Sequence, residues 1–145
     1  MGEVKRLERL MEPGSIGSLR TKNRIIKTAA GTGYADKEGR GTERMADFYG
    51  AIAKGGVGLV IVENCAVEWP RGTHVIPTGF RLHDESYVPG HALVTAAVHK
   101  HDCPVFVQLM HAGPWLAMLP GQGPQERITA STIAEEDMPP SVWDW

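Results

Sequence analysis

The run GLVIVEN, Gly58 to Asn64, is almost continuously apolar and closes on an acid and an amide. Consecutive apolar residues without polar alternation mark a strand covered on both faces, as in the parallel sheets of α/β proteins. Its neighbours in sequence support that reading. Upstream, Thr42 is placed to cap a helix beginning at Glu43, and Met45, Phe48, Tyr49 and Ile52 then recur on one face at helical spacing. The helix is expected to run to Lys54 and to stop at Gly55 and Gly56. Before it, RIIKTAA (Arg24 to Ala30) is a short β-type run that leaves into the turn-rich GTGYADKEGRG.

Downstream, a second helix is expected from about Tyr87 to His101. Pro89 falls in its first turn, and Leu93, Val94, Ala97 and Val98 supply the apolar stripe. PVFVQL (Pro104 to Leu109) reads as a third strand, and the segment between Cys65 and Tyr87 as a longer loop. The order β-α-β-α-β builds a parallel sheet, either open or closed into a barrel. In both architectures ligands sit at the carboxyl ends of the strands. Those ends are polar or small here: Thr28 to Gly31, Glu63 to Cys65, and Gln108 to His111. They are expected to converge on one mouth.

With 42% hydrophobic and 22% charged residues, the 145-residue chain has enough apolar material for a globular core, which sets disorder aside. The net charge of -2 comes from interspersed acids and bases with no long basic block, so neither nucleic acid nor an acidic membrane surface is the expected partner. No segment is long enough to span a bilayer. MGEVKRLERLMEPG lacks the apolar core and cleavage site of a secretory signal, and Arg6 stands where a myristoylation signal wants Ser or Thr. Cys65 and Cys103 form neither a disulfide framework nor a CxxC metal site. A cytoplasmic protein acting on small molecules is the expectation, with association into homo-oligomers left open. The stretch 114–145 holds five of the ten prolines, and it reads as a Pro/Gly-rich loop that ends abruptly at Trp145.

Gln108 offers an acceptor and a two-proton donor from one plane, matching a heterocycle with alternating carbonyl and imide groups. The alternative is a core glutamine satisfied by backbone; its place at a strand's carboxyl end beside Gly113 favours the ligand. His111 reads as a ligand contact, a general acid, or a residue that orients its loop through its ring nitrogens, and for a lone histidine orientation is favoured. The other histidines are scattered, and no converging set with zinc-like spacing is present, so no metal site is expected. The glycines of KGGVG end a helix and precede a strand, the reverse of a phosphate-binding fingerprint, and read as a tight connection.

Taken together, LMEPGSIGSLRTKNRIIKTAA (Leu10 to Ala30), FYGAIAKGGVGLVIVENCAVEWPRG (Phe48 to Gly72) and FVQLMHAG (Phe106 to Gly113) resemble the old yellow enzyme family of FMN-dependent oxidoreductases. The similarity is closest to its branch of dienoyl-CoA reductases and related NADH:flavin oxidoreductases. It covers Leu10 to about Gly113, with a looser match through Ile128 to Ile133. The resemblance implies the N-terminal part of a TIM (β/α)8 barrel: a hairpin closing the bottom, then the first three strands. It also implies that Gln108 contacts the pyrimidine edge of FMN. Thr28, Ala29, Ala30 and Gly31 would line the isoalloxazine near its reactive nitrogen, and Asn64 would occupy another flavin-contacting position.

Two departures stand out. Relatives commonly carry Pro, then Leu or Met, then Thr or Cys where this chain has Ala29, Ala30 and Gly31, so a hydroxyl or thiol beside the flavin is absent. Pro114 replaces the arginine that often ends the HAGR motif. A complete barrel typically takes about 250 residues, so an opening portion is expected. The substrate-binding pair, the proton donor and the flavin-phosphate site would lie beyond Trp145, as would any iron-sulfur cluster or FAD site of a longer parent. No catalytic residue is assigned. The implied reaction is of ene-reductase type, with hydride passing from NADH or NADPH through flavin to an activated alkene such as an enone or enoyl thioester. The alternatives are a catalytically inert barrel fragment acting in assembly and, with little support from the histidines, a metal-dependent barrel hydrolase.

Overall fold

Local chemistry accounts for the element boundaries in the computed structural model, which describes residues 7–72, 79–113, 128 and 131. In chain order these are helix α1 (Glu8–Met11), a hairpin of β1 (Gly14–Ile16) and β2 (Leu19–Thr21), β3 (Ile26–Lys27), α2 (Glu43–Lys54), β4 (Leu59–Ala66), β5 (Phe80–Arg81), a 3-10 turn (Glu85–Tyr87), α3 (Val88–His99) and β6 (Val105–Met110). Helix α2 starts where expected: the Thr42 hydroxyl accepts the Met45 N–H at 3.3 Å, satisfying one of the donors a helix start leaves over. The 3-10 turn leading into α3 is capped in the same way, with Ser86 N–H donating to Asp84 Oδ1 at 2.7 Å.

Strand β4 organises the sheet. β6 runs parallel along one edge from Val60 to Ala66. The other edge is shared by β3, paired at Leu59 and Val60, and by β5, paired at Cys65 and Ala66. Both are parallel to β4, and among the described residues no strand covers the stretch of that edge between them. Helices α2 and α3 cover one face, where Met45, Tyr49, Ala53, Val60, Val62, Cys65, Val94 and Val98 form the core. Burying the methionine and valine side chains among them contributes about 1.5–3 kcal/mol each before the entropy of ordering them is counted.

The antiparallel hairpin β1–β2 sits apart as its own two-stranded sheet. Asn23 fastens it to the connection between α2 and β4: its Nδ2 donates to the Gly56 carbonyl at 2.7 Å and its Oδ1 accepts the Ile25 N–H at 3.1 Å. The approach is so close that a Cβ at Gly58 would lie 2.7 Å from Asn23 Oδ1, which explains a glycine there without any phosphate. The KGGVG stretch is a tight connection.

Three expectations are corrected. The first strand is far shorter than Arg24 to Ala30, because beyond Lys27 no ladder partner faces the chain and it departs as a loop. The loop after β4 contains the additional short strand β5. Leu93 does not join the core stripe of α3: it is 40% exposed on a groove between α2 and α3, while Val94 and Val98 are buried. Apart from Ile128 and Ser131, the stretch 114–145 lies outside the described residues. No helix among the described residues is long and apolar enough to cross a membrane.

Candidate functional site

A β-bulge decides which residues face the mouth. Between β4 and β6 the pairing runs Val60↔Val105, Ile61↔Phe106, Val62↔Val107, then skips to Asn64↔Gln108, Cys65↔Leu109 and Ala66↔Met110. Glu63 is the extra residue. Paired residues on neighbouring strands share a face, and Val60, Val62, Val105 and Val107 belong to the helix-covered core. Asn64 and Gln108 therefore point together to the opposite face. Had the ladder been regular, Glu63 would have stood beside Gln108 instead.

Gly31 joins this pair, since a Cβ built on it would lie 3.9 Å from Asn64 Oδ1. Gln108 is exposed and Asn64 half-buried, and neither side chain makes a hydrogen bond among the described residues. Thr28, Ala29 and Ala30 lie on the segment leading into Gly31; Thr28 and Ala30 are exposed and Ala29 is half-buried. Two free carboxamides on neighbouring strands, beside a backbone with no side chain in the way, make a donor and acceptor set for a planar polar heterocycle. Among the described residues no group of three or more His, Cys, Asp or Glu is placed to hold a metal.

Behind the segment, on the helix face, lies a polar cluster: of the residues Glu63 to Cys65 expected at the mouth, the bulge turns Glu63 and Cys65 toward the helices and leaves Asn64 facing the other way. Glu63 is 2% exposed, and its Oε2 accepts the Thr32 N–H at 2.8 Å and the Tyr49 hydroxyl at 3.2 Å. The Tyr49 oxygen in turn accepts the Glu63 N–H at 2.9 Å, a donor that the bulge takes out of the ladder. Burial raises the Tyr49 phenol above its ordinary range. Lys27 Nζ donates to the Thr28 carbonyl at 2.7 Å and lies 5.3 Å from the centre of the Tyr49 ring. Desolvation lowers the Lys27 ammonium, and the neighbouring Glu63 charge partly restores it. An acid inside an apolar strand and a tyrosine on a buried helix stripe were the available signals, since both demand partners.

His111 clasps two loops. Its Nε2 lies 2.8 Å from Glu68 Oε2, and its Nδ1 accepts the Gly113 N–H at 3.0 Å, so Nε2 carries the proton in the neutral ring. Arg71 donates to Glu68 Oε1 from Nε at 2.9 Å, and Ala112 N–H donates to the Gly72 carbonyl at 2.9 Å. The His111 hydrogen bond, with the Arg71 contacts, holds the Glu68 carboxyl below its usual range. Cys65 is on the helix face, 3.7 Å from His91 Nε2. Burial, reinforced by the Glu63 charge, pushes its thiol up to about 12, which leaves it protonated and unsuited to nucleophilic work near neutral pH.

Residues 9–140 match the NADH:flavin oxidoreductase / NADH oxidase family. The NADH oxidase of Thermoanaerobacter brockii is 39% identical over 104 residues, covering 72% of this chain and 16% of that protein. Among solved structures, the old yellow enzyme homologue of Zymomonas mobilis superimposes with a TM-score of 0.67 at 28% identity, over 74% of this chain and 29% of that one. A 2-naphthoyl-CoA reductase in complex with 2-naphthoyl-CoA gives 0.68 at 26% identity, over 74% and 16%. The chain thus spans less than a third of the length of these relatives. Its parallel α/β architecture is that of the N-terminal part of the old yellow enzyme TIM barrel. By the extent of the family match and the fold that accompanies it, the chain belongs to the NADH:flavin oxidoreductase / NADH oxidase family.

Proposed function

We propose that this chain forms part of the FMN cradle of an ene-reductase-type oxidoreductase, with Gln108, Asn64 and the Thr28–Gly31 segment facing the flavin. The observation that carries the reading is the in-register pair Asn64↔Gln108, whose carboxamides have no hydrogen-bond partner among the described residues and point to the same side beside Gly31. FMN would supply the hydride chemistry, taking a hydride from NADH or NADPH and passing it to an activated alkene such as an enone or enoyl thioester.

The residues in hand bind and orient. Gln108 offers both hydrogen-bond senses to the alternating groups of a pyrimidine edge, and Asn64 offers the same choice one strand away. Ala29 and Ala30 provide small, apolar contact, and Gly31 presents backbone alone. The substrate, the proton donor and the group that grips the flavin phosphate are assigned to no residue of this chain.

The test is the visible spectrum of the purified chain after reconstitution with FMN, compared with Gln108→Ala. The expected outcome is a stoichiometric, protein-perturbed flavin band that the substitution weakens. Equal retention by both proteins would remove Gln108 from the cradle, and no retention by the wild type would overturn the FMN reading of this chain.

A further inference from the structure

The segment carrying Thr28, Ala29, Ala30 and Gly31 leaves the ladder after Lys27, yet it is tied down at both ends by ionisable side chains. At its start Lys27 Nζ holds the Thr28 carbonyl at 2.7 Å; at its end Glu63 Oε2 holds the Thr32 N–H at 2.8 Å. The second tie starts from Glu63, within the stretch of β4 that neither β3 nor β5 pairs with. Glu63 is also the residue that the β4–β6 ladder does not need, because the pairs on either side of it run on in order without it.

A buried carboxyl at a superfluous position in a central strand is costly unless donors meet it. Here the donors are the Thr32 amide and the Tyr49 hydroxyl, with the Lys27 charge nearby. Gly31 has no side chain, so the polar groups it can present are those of its backbone, and their position depends on the two ties. We propose, building on the FMN reading above, that Glu63, braced by Tyr49 and opposed by Lys27, is a positioning residue that fixes the Thr28–Thr32 backbone against the flavin. It thereby sets how tightly FMN is held and the potential at which it is reduced.

The test compares the full chain with Glu63→Gln, which keeps an oxygen for the Thr32 N–H but drops the charge, and with Glu63→Ala, which removes the acceptor. Amide exchange without flavin reads the tie itself. Thr32 is expected to exchange about tenfold faster or more in Glu63→Ala, with Glu63→Gln close to wild type. FMN titration and potentiometry read the consequence. Glu63→Ala is expected to weaken FMN about tenfold, whereas Glu63→Gln recovers affinity but shifts the flavin potential because the charge is gone.

Unchanged Thr32 exchange in Glu63→Ala overturns the tie. Faster exchange with FMN affinity and potential unaltered in both variants overturns the positioning role and leaves the FMN reading standing. A wild-type chain with Thr32 protected but no FMN bound overturns the FMN reading, and this extension with it, while the tie survives. Should Glu63→Ala fail to fold, Lys27→Met at its half-buried position frees the other end of the segment, and unchanged FMN affinity there overturns the proposal equally.

Discussion

The Tyr49 hydroxyl answers two groups at once, donating to the Glu63 carboxyl and accepting the Glu63 N–H. Tyr49→Phe preserves the ring packing against Phe48 and leaves a buried backbone donor without its partner. Urea unfolding is expected to show a loss of about 1–3 kcal/mol. Glu68 gives a pH signature instead. Its carboxyl is held below the ordinary 4.5, first by the His111 hydrogen bond. A lowered acid contributes stability that is complete above its unfolded value and is lost as the pH falls through its folded one. Carboxyl carbon NMR should therefore place the Glu68 midpoint below 4.5, and His111→Ala should move it back upward. The His111 clasp was legible in sequence as a loop-orienting histidine; its partner was not, because Glu68 lies 43 residues away and only the fold brings them together.

At the scale of elements, α2 was readable because every signal was local: a hydroxyl at the cap, an apolar stripe, and glycines at the end. The bulge was not readable. Plain alternation from Val60 and Val62 would send Asn64 to the helix face, and only the skipped pairing with β6 reverses this. Asn64 was placed near the mouth by its position at a strand's carboxyl end and given a flavin contact by the family resemblance; the face it takes was not readable from periodicity. The packing of α3 carries a further expectation. The backbone of Gly90 in its first turn meets that of Gly41 ahead of α2, so a Cβ on either would strike the other's main chain. Gly90→Ala should cost about 1–3 kcal/mol, the usual penalty for overpacking, despite the better helix propensity of alanine. Thermal unfolding monitored by circular dichroism would read it as a lowered Tm.

For the whole molecule, the strand carrying Gln108 is also the one left most open. Phe106 is 43% and Leu109 61% exposed, on opposite faces of β6, whose outer edge pairs with no strand among the described residues. Apolar strand surface of this kind promotes association. Sedimentation at rising concentration is expected to show self-association of the chain, reduced by Leu109→Lys; a monomer at every concentration would count against it. The barrel class was legible from the order of strands and helices together with the quoted motifs, because parallel units of this kind admit few topologies. The position of each mouth residue was less so, since it depends on pairings between strands more than 40 residues apart.

The spare residue in β4 has a consequence for how such a site arises. An ordinary seven-residue strand would need only a one-codon insertion to acquire Glu63 and become the eight-residue β4, because the flanking pairs keep their order whether it is there or not. Every neighbour on the mouth would be inherited unchanged, and a new side chain would appear on the far face within reach of a tyrosine and a loop amide. Lineages could gain or shed the tether in a single event without rebuilding the sheet. In comparisons of related chains, a gap at this position would then be as informative as a substitution.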